Sequence, residues 1–97
     1  MEAGVEADVQ DAEGLVLYQT EGCPYCVKVR RYLEQAGRSI ELRDLRGTPD
    51  AVQELIAATR RRTVPCLRIE TAPGDFEWLH ESADIIDYLA ARFAEEG

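Results

Sequence analysis

Ninety-seven residues, 45% of them hydrophobic and 31% charged, are enough for one small domain with a single core, and too apolar for a disordered chain. No apolar run approaches the ~20 residues needed to span a bilayer. The opening MEAGVEADVQDAEG has neither the basic nor the apolar region of a secretory signal, so a cytoplasmic, membrane-free protein is expected. Most of the net charge of -8 sits at the ends: residues 1–13 hold five acids and no base and read as a disordered acidic tail, whereas residues 14–94, the expected domain, hold 12 acids against 11 bases, which argues against the basic face of a nucleic-acid-binding protein.

Residues 15–19, Leu-Val-Leu-Tyr-Gln, read as a strand. Thr20, Glu21 and Gly22 connect it to a helix over 24–36, with Pro24 in the first turn, apolar residues at 26, 29, 32, 33 and 36, and Gly37 as the stop. Ser39–Arg43 alternates polar and apolar residues and predicts a second strand. Thr48, Pro49 and Asp50 signal the start of a second helix, with Thr48 as capping hydroxyl. Val52, Leu55, Ile56 and Thr59 share its inner face, and Arg60, Arg61 and Arg62 suit its C-terminal end. Strands over 65–69 and 76–79, joined by Pro73-Gly74-Asp75, form an antiparallel hairpin. Ser82 caps a third helix that turns Ile85, Ile86, Leu89, Ala90 and Phe93 inward. The order β-α-β-α-β-β-α makes the first two strands parallel and predicts an α/β fold, a four-stranded mixed sheet flanked by three helices on both faces.

The chemistry is carried by Cys23-Pro24-Tyr25-Cys26. A thiol attacks as its thiolate, and a free cysteine is only a few per cent ionised at neutral pH. Cys23 precedes a helix, where unpaired N–H groups and the positive end of the dipole favour a negative sulfur. Cys26 lies one turn further in, close enough to bridge Cys23 but more buried. The pair is therefore asymmetric, an exposed attacker and a buried resolver. The alternative is half of a zinc site. It needs two more ligands, and Cys66 and His80 do not form a second close pair, so no metal is expected. The position of C-x-x-C directly after a strand favours the redox reading. Cys66 reads as a small buried apolar residue, His80 as a surface residue, and Trp78 and Tyr88 as packing residues.

Over residues 14–94 the chain resembles the glutaredoxins of the thioredoxin superfamily. Cys23-Pro24-Tyr25-Cys26 matches their dithiol active site residue for residue. Thr63-Val64-Pro65 resembles the segment whose proline is cis in that family and whose valine backbone pairs with glutathione. Glu81-Ser82-Ala83-Asp84-Ile85 is similar to the start of the last helix, where the γ-glutamyl end of glutathione binds. Two departures stand out. Many glutaredoxins carry a cation three positions before the first cysteine, where this chain has Thr20. The usual Gly-Gly before the last helix is His80-Glu81 here, and Glu81-Ser82 instead looks like the glutathione-binding pair of glutathione transferase N-terminal domains. Those domains usually continue into an all-helical second domain, which is not expected in this chain.

The resemblance implies a thioredoxin-like fold and glutathione-dependent reduction of glutathionylated or disulfide-containing proteins by a monomer, with Cys23 and Cys26 catalytic and glutathione as co-substrate. It implies glutathione contacts from Tyr25, Thr63, Val64, Pro65, Glu81 and Ser82, with Arg62 replacing the cation absent at Thr20 through an Arg–carboxylate pair. Two other functions are compatible with the family: a stand-alone transferase-like glutathione-binding domain with weak reductase activity, and an iron–sulfur cluster carrier.

Overall fold

Strand β1 (Leu15–Gln19), with Gln19 as its one polar residue, is buried at all five positions, as a strand covered on both faces must be. Its side chains alternate between two cores. Leu15 and Leu17 enter one with Val29, Leu33, Leu67, Ile69, Ile85 and Leu89. Val16 and Tyr18 enter the other with Leu45, Ala51, Leu55 and Cys66. The computed structural model describes residues 14–96, and the expected tail at 1–13 lies outside the described residues.

β1 pairs in parallel with β2 (Glu41–Asp44) and antiparallel with β3 (Cys66–Ala72), which pairs antiparallel with β4 (Asp75–Leu79). The sheet order is β2-β1-β3-β4. A parallel pair needs a crossover, supplied by helix α1 (Pro24–Ala36). α1 and α3 (Ser82–Glu96) cover the Leu15/Leu17 face, and α2 (Pro49–Thr59) covers the Val16/Tyr18 face. The element order and mixed sheet are those expected.

α1 begins and ends where its sequence predicts. Cys23 is extended at φ -81° and ψ 121°, with Pro24 next. Gly37 takes the left-handed conformation at φ 69°, so its N–H reaches Glu34 O at 3.1 Å and the Arg38 N–H reaches Leu33 O at 3.0 Å, the pairing that closes a helix C-terminus.

Other expectations need correction. The second strand is Glu41–Asp44 rather than 39–43, because the parallel ladder starts at Val16 opposite Glu41 and Ile40 is spent in the core ahead of it. Thr48 occupies the cap position of α2, but its side chain makes no capping hydrogen bond. α2 stops at Thr59: Arg60 is left-handed at φ 63° and donates its N–H to Ile56 O at 2.8 Å, so the three arginines lie beyond the helix. The inner face of α2 is Ala51 and Leu55, while Ile56 is 42% exposed. On α3 the buried stripe is Ile85, Leu89 and Phe93 at four-residue spacing, and Ala90 faces solvent. The Ile85 N–H donates to Glu81 O at 2.9 Å, so Glu81 holds the cap position and Ser82 is the first helical residue.

Candidate active site

Three strand ends and two helix starts meet at one end of the sheet. β1 leaves at Gln19, β3 enters at Cys66 opposite Tyr18, and β4 leaves at Leu79 opposite Leu67. The connection 20–22 into α1, the segment 61–65 into β3 and the step His80–Glu81 into α3 therefore share that end.

Cys23 is half-buried there. Its Sγ accepts the Cys26 N–H at 3.4 Å and lies 3.8 Å from the Val64 carbonyl oxygen. The Val64–Pro65 peptide is cis, as the resemblance implied. Burial alone would raise the Cys23 pKa, but the Cys26 N–H, the Cys26 thiol, the Tyr25 N–H and the Arg30 charge together hold it below the ordinary cysteine value.

Cys26 is fully buried. Burial pushes its thiol up to about 11; the Thr20 backbone opposes this, and donation of its proton to Cys23 adds to it. The two sulfurs titrate as a coupled pair, with Cys23 pushed down and Cys26 pushed up. The asymmetry expected from the spacing is thus present as geometry: Cys23 loses the first proton and Cys26 keeps the second.

The other sequence-predicted residues take different places. Tyr25 is 64% exposed beside Cys23. Arg62 and Thr63 are exposed, Val64 is half-buried and Pro65 is buried. Glu81 is exposed and Ser82 half-buried. Of these, Tyr25 and Val64 lie against Cys23 through their backbones, and Glu81 and Ser82 reach the same end through the β3–β4 register. Cys66 is fully buried in the α2-side core, and burial pushes its thiol up to about 12, with Arg61 opposing. His80 departs from the expected surface position. It is half-buried, its Nε2 is enclosed with no hydrogen-bond partner among the described residues, and burial and Arg61 lower its pKa while Glu81 opposes them.

Arg30 escaped the sequence reading. It lies on α1, one turn beyond Cys26, and its guanidinium reaches back to the connection before Cys23. Nη1 donates to the Gln19 side-chain oxygen and, at 3.2 Å, to Thr20 O; Nη2 donates to Glu21 O at 3.2 Å. The spacing of four from Cys26 was visible, but its backbone partners ten residues earlier were not.

Among the described residues no helix is long and apolar enough to cross a membrane, and no group of three or more His, Cys, Asp or Glu is placed to hold a metal ion.

Residues 17–97 match the family model described as "Glutathione S-transferase, N-terminal domain". A glutaredoxin of Pseudomonas aeruginosa is 33% identical over 78 residues, covering 77% of this chain and 93% of the relative. The crystal structure of oxidised glutaredoxin 2 from Chlamydomonas reinhardtii is 31% identical, covers 86% of this chain and 77% of that one, and superposes with a TM-score of 0.54. In fold, glutathione transferase Omega 3C from Trametes versicolor is similar at a TM-score of 0.68 and 21% identity; the match covers 97% of this chain and 39% of the transferase. The chain belongs to the glutaredoxin family of the thioredoxin superfamily, a family of thiol–disulfide oxidoreductases.

Proposed function

We propose that this protein is a glutathione-dependent thiol–disulfide oxidoreductase that reduces protein–glutathione mixed disulfides and protein disulfides. The observation that carries the proposal is the polarised pair: the Cys23 sulfur receives the Cys26 N–H at 3.4 Å, and the Cys23 pKa is lowered while that of Cys26 is raised to about 11.

The Cys23 thiolate attacks the glutathione sulfur of a mixed disulfide. A bond forms between Cys23 and glutathione, the original disulfide breaks, and the protein sulfur leaves as thiolate and takes a proton. The thiolate of a second glutathione then attacks the adduct, releasing oxidised glutathione and restoring the Cys23 thiolate. Alternatively Cys26, deprotonated as it attacks, displaces glutathione and leaves a Cys23–Cys26 disulfide for later reduction. Glutathione is a co-substrate throughout, and no metal takes part.

For glutathione itself, the Val64 backbone beside Cys23 is the proposed pairing edge, flanked by Thr63 and Pro65, with Tyr25 as the exposed rim. The first-turn N–H groups of α3 take the γ-glutamyl carboxylate, Glu81 takes its ammonium, and Arg62 takes the glycyl carboxylate. The protein acts as a monomer, and a reducing cytoplasm suits thiols that must be regenerated.

The test is reduction of a small glutathione mixed disulfide coupled to glutathione reductase. Wild type turns over, Cys23→Ser is inactive and Cys26→Ser retains much of the rate. Equal rates for Cys23→Ser and wild type reject the proposal. The match to the transferase N-terminal domain favours a second reading, glutathione binding with weak reductase activity. Saturable binding of glutathione by calorimetry with negligible coupled turnover would select it.

A further inference from the structure

We propose that Arg30 is a positioning residue for the Cys23–Cys26 pair, clamping the connection before Cys23 and supplying from within α1 the positive charge that Thr20 does not. The inference rests on the oxidoreductase reading of the site and adds a residue to it.

The clamp is visible atom by atom. A guanidinium presents five N–H donors in a rigid plane. Two Arg30 nitrogens reach three successive residues, the Gln19 side chain and the carbonyls of Thr20 and Glu21. These residues carry the chain from β1 to Cys23. Gln19 is the buried polar side chain of the described core, 5% exposed. Its oxygen faces Arg30, and its amide nitrogen is 3.5 Å from Asp44. An amide left unsatisfied at that depth is unfavourable, so Arg30 also settles how β1 ends. The Thr20 backbone, whose carbonyl Arg30 holds, is also the backbone that faces the Cys26 sulfur. One cation thus fixes the segment that enters Cys23 and the residue that lies against Cys26.

The charged and titratable groups around the pair come from several elements. Cys26 and Arg30 lie on α1 and Glu21 lies in the connection, whereas Arg61, in the segment before β3, acts on Cys66 and His80 rather than on the pair. Arg30 is the cation whose charge favours both thiolates. Neighbouring Arg31 is exposed on the same helix and carries an equal charge without the loop contacts.

The experiment compares Arg30→Met, Arg30→Lys and Arg31→Met. Each reduced protein is titrated by thiolate absorbance, its iodoacetamide alkylation rate is followed against pH, and amide exchange is measured at residues 20–23. None of these measurements uses glutathione, so they are separate from the turnover that tests the reductase reading. In Arg30→Met the Cys23 midpoint should rise by about half to one unit, a three- to tenfold loss of thiolate at a pH below both midpoints, and amides 20–23 should exchange faster. Arg30→Lys keeps the charge but lacks the fork; it should recover most of the midpoint and little of the amide protection. Arg31→Met should match wild type in both. A Cys23 midpoint and loop protection in Arg30→Met equal to those of Arg31→Met would overturn the proposal. If Arg30→Met does not fold, Arg30→Lys decides: unchanged amide protection at 20–23 would overturn the clamp.

Discussion

Replacing Cys26 with alanine separates two roles of that residue, because its backbone N–H survives the change and its thiol does not. Three hydrogen-bond donors favour the Cys23 thiolate: the Cys26 N–H, the Cys26 thiol and the Tyr25 N–H. Alanine removes one of them. A hydrogen bond to a charged group is worth about 1.5–3 kcal/mol, and the weak S–H donor about half of that, which corresponds to a rise of about half to one pKa unit. The thiolate fraction then falls about three- to tenfold at a pH below the midpoint. Intrinsic nucleophilicity rises with pKa at a Brønsted slope of about 0.4–0.5, so the attack rate should fall only about two- to fourfold. Serine, which can still donate to the sulfur, should lie between alanine and wild type. The assay is thiolate absorbance against pH, paired with iodoacetamide alkylation at a pH below the wild-type midpoint. A Cys23 midpoint in Cys26→Ala restored to the free-cysteine value would show that the thiol alone, rather than the N–H set, holds the thiolate. A downward shift would reverse the sign of the coupling altogether.

The stability of the reduced protein should vary with pH in two opposing stages. Cys23 has a lowered folded-state pKa, so its contribution appears as pH rises through that value and is complete above the unfolded cysteine value. Cys26 and Cys66, raised to about 11 and about 12, stay neutral when folded but ionise first in the unfolded chain, so urea midpoints should fall as pH rises above the ordinary cysteine value. Cys66→Ala should flatten that fall, and in native wild type Cys66 should resist thiol reagents until the protein unfolds. The Glu54 carboxyl is held below its usual range chiefly by the Tyr18 hydroxyl at 2.7 Å, with burial opposing and Arg43 assisting. That contribution is full above the unfolded carboxylate pKa and is lost as pH falls through the lowered value, so Glu54→Gln should make acid unfolding less steep. Arg60 holds a left-handed backbone at φ 63°, which glycine adopts without the roughly 1 kcal/mol side-chain penalty. Arg60→Gly should raise Tm by a few degrees in calorimetry, at about 4–8 °C per kcal/mol for a domain of this size.

Local signals carried most of the architecture. The apolar run 15–18 marked β1 as a strand, and Pro24 with Gly37 delimited α1 to the residue. The Cys-Pro-Tyr-Cys motif located the paired thiols because helix-start geometry depends on near neighbours. The errors lie where distant residues decide. The start of β2 is set by its ladder to Val16, not by the alternation that begins at Ser39. Ile56 and Ala90 fit an apolar helical spacing but fall just outside the stripe that the sheet covers. Thr48 is a good capping residue whose hydroxyl makes no capping bond. Arg30 was illegible for the same reason: its partners are carbonyls of another segment, and any residue type presents a carbonyl.

The reactivity of the Cys23 sulfur toward glutathione can be read directly by trapping its adduct. Reduced Cys26→Ser, which lacks the resolving thiol, is incubated with oxidised glutathione at a pH below the ordinary cysteine value, quenched in acid and mapped by peptide mass spectrometry. The expected product carries one glutathione, on Cys23, with Cys66 unmodified. A protein that remains unmodified at Cys23, or that takes glutathione at Cys66 as readily, would contradict a glutathione-accepting thiolate at the start of α1.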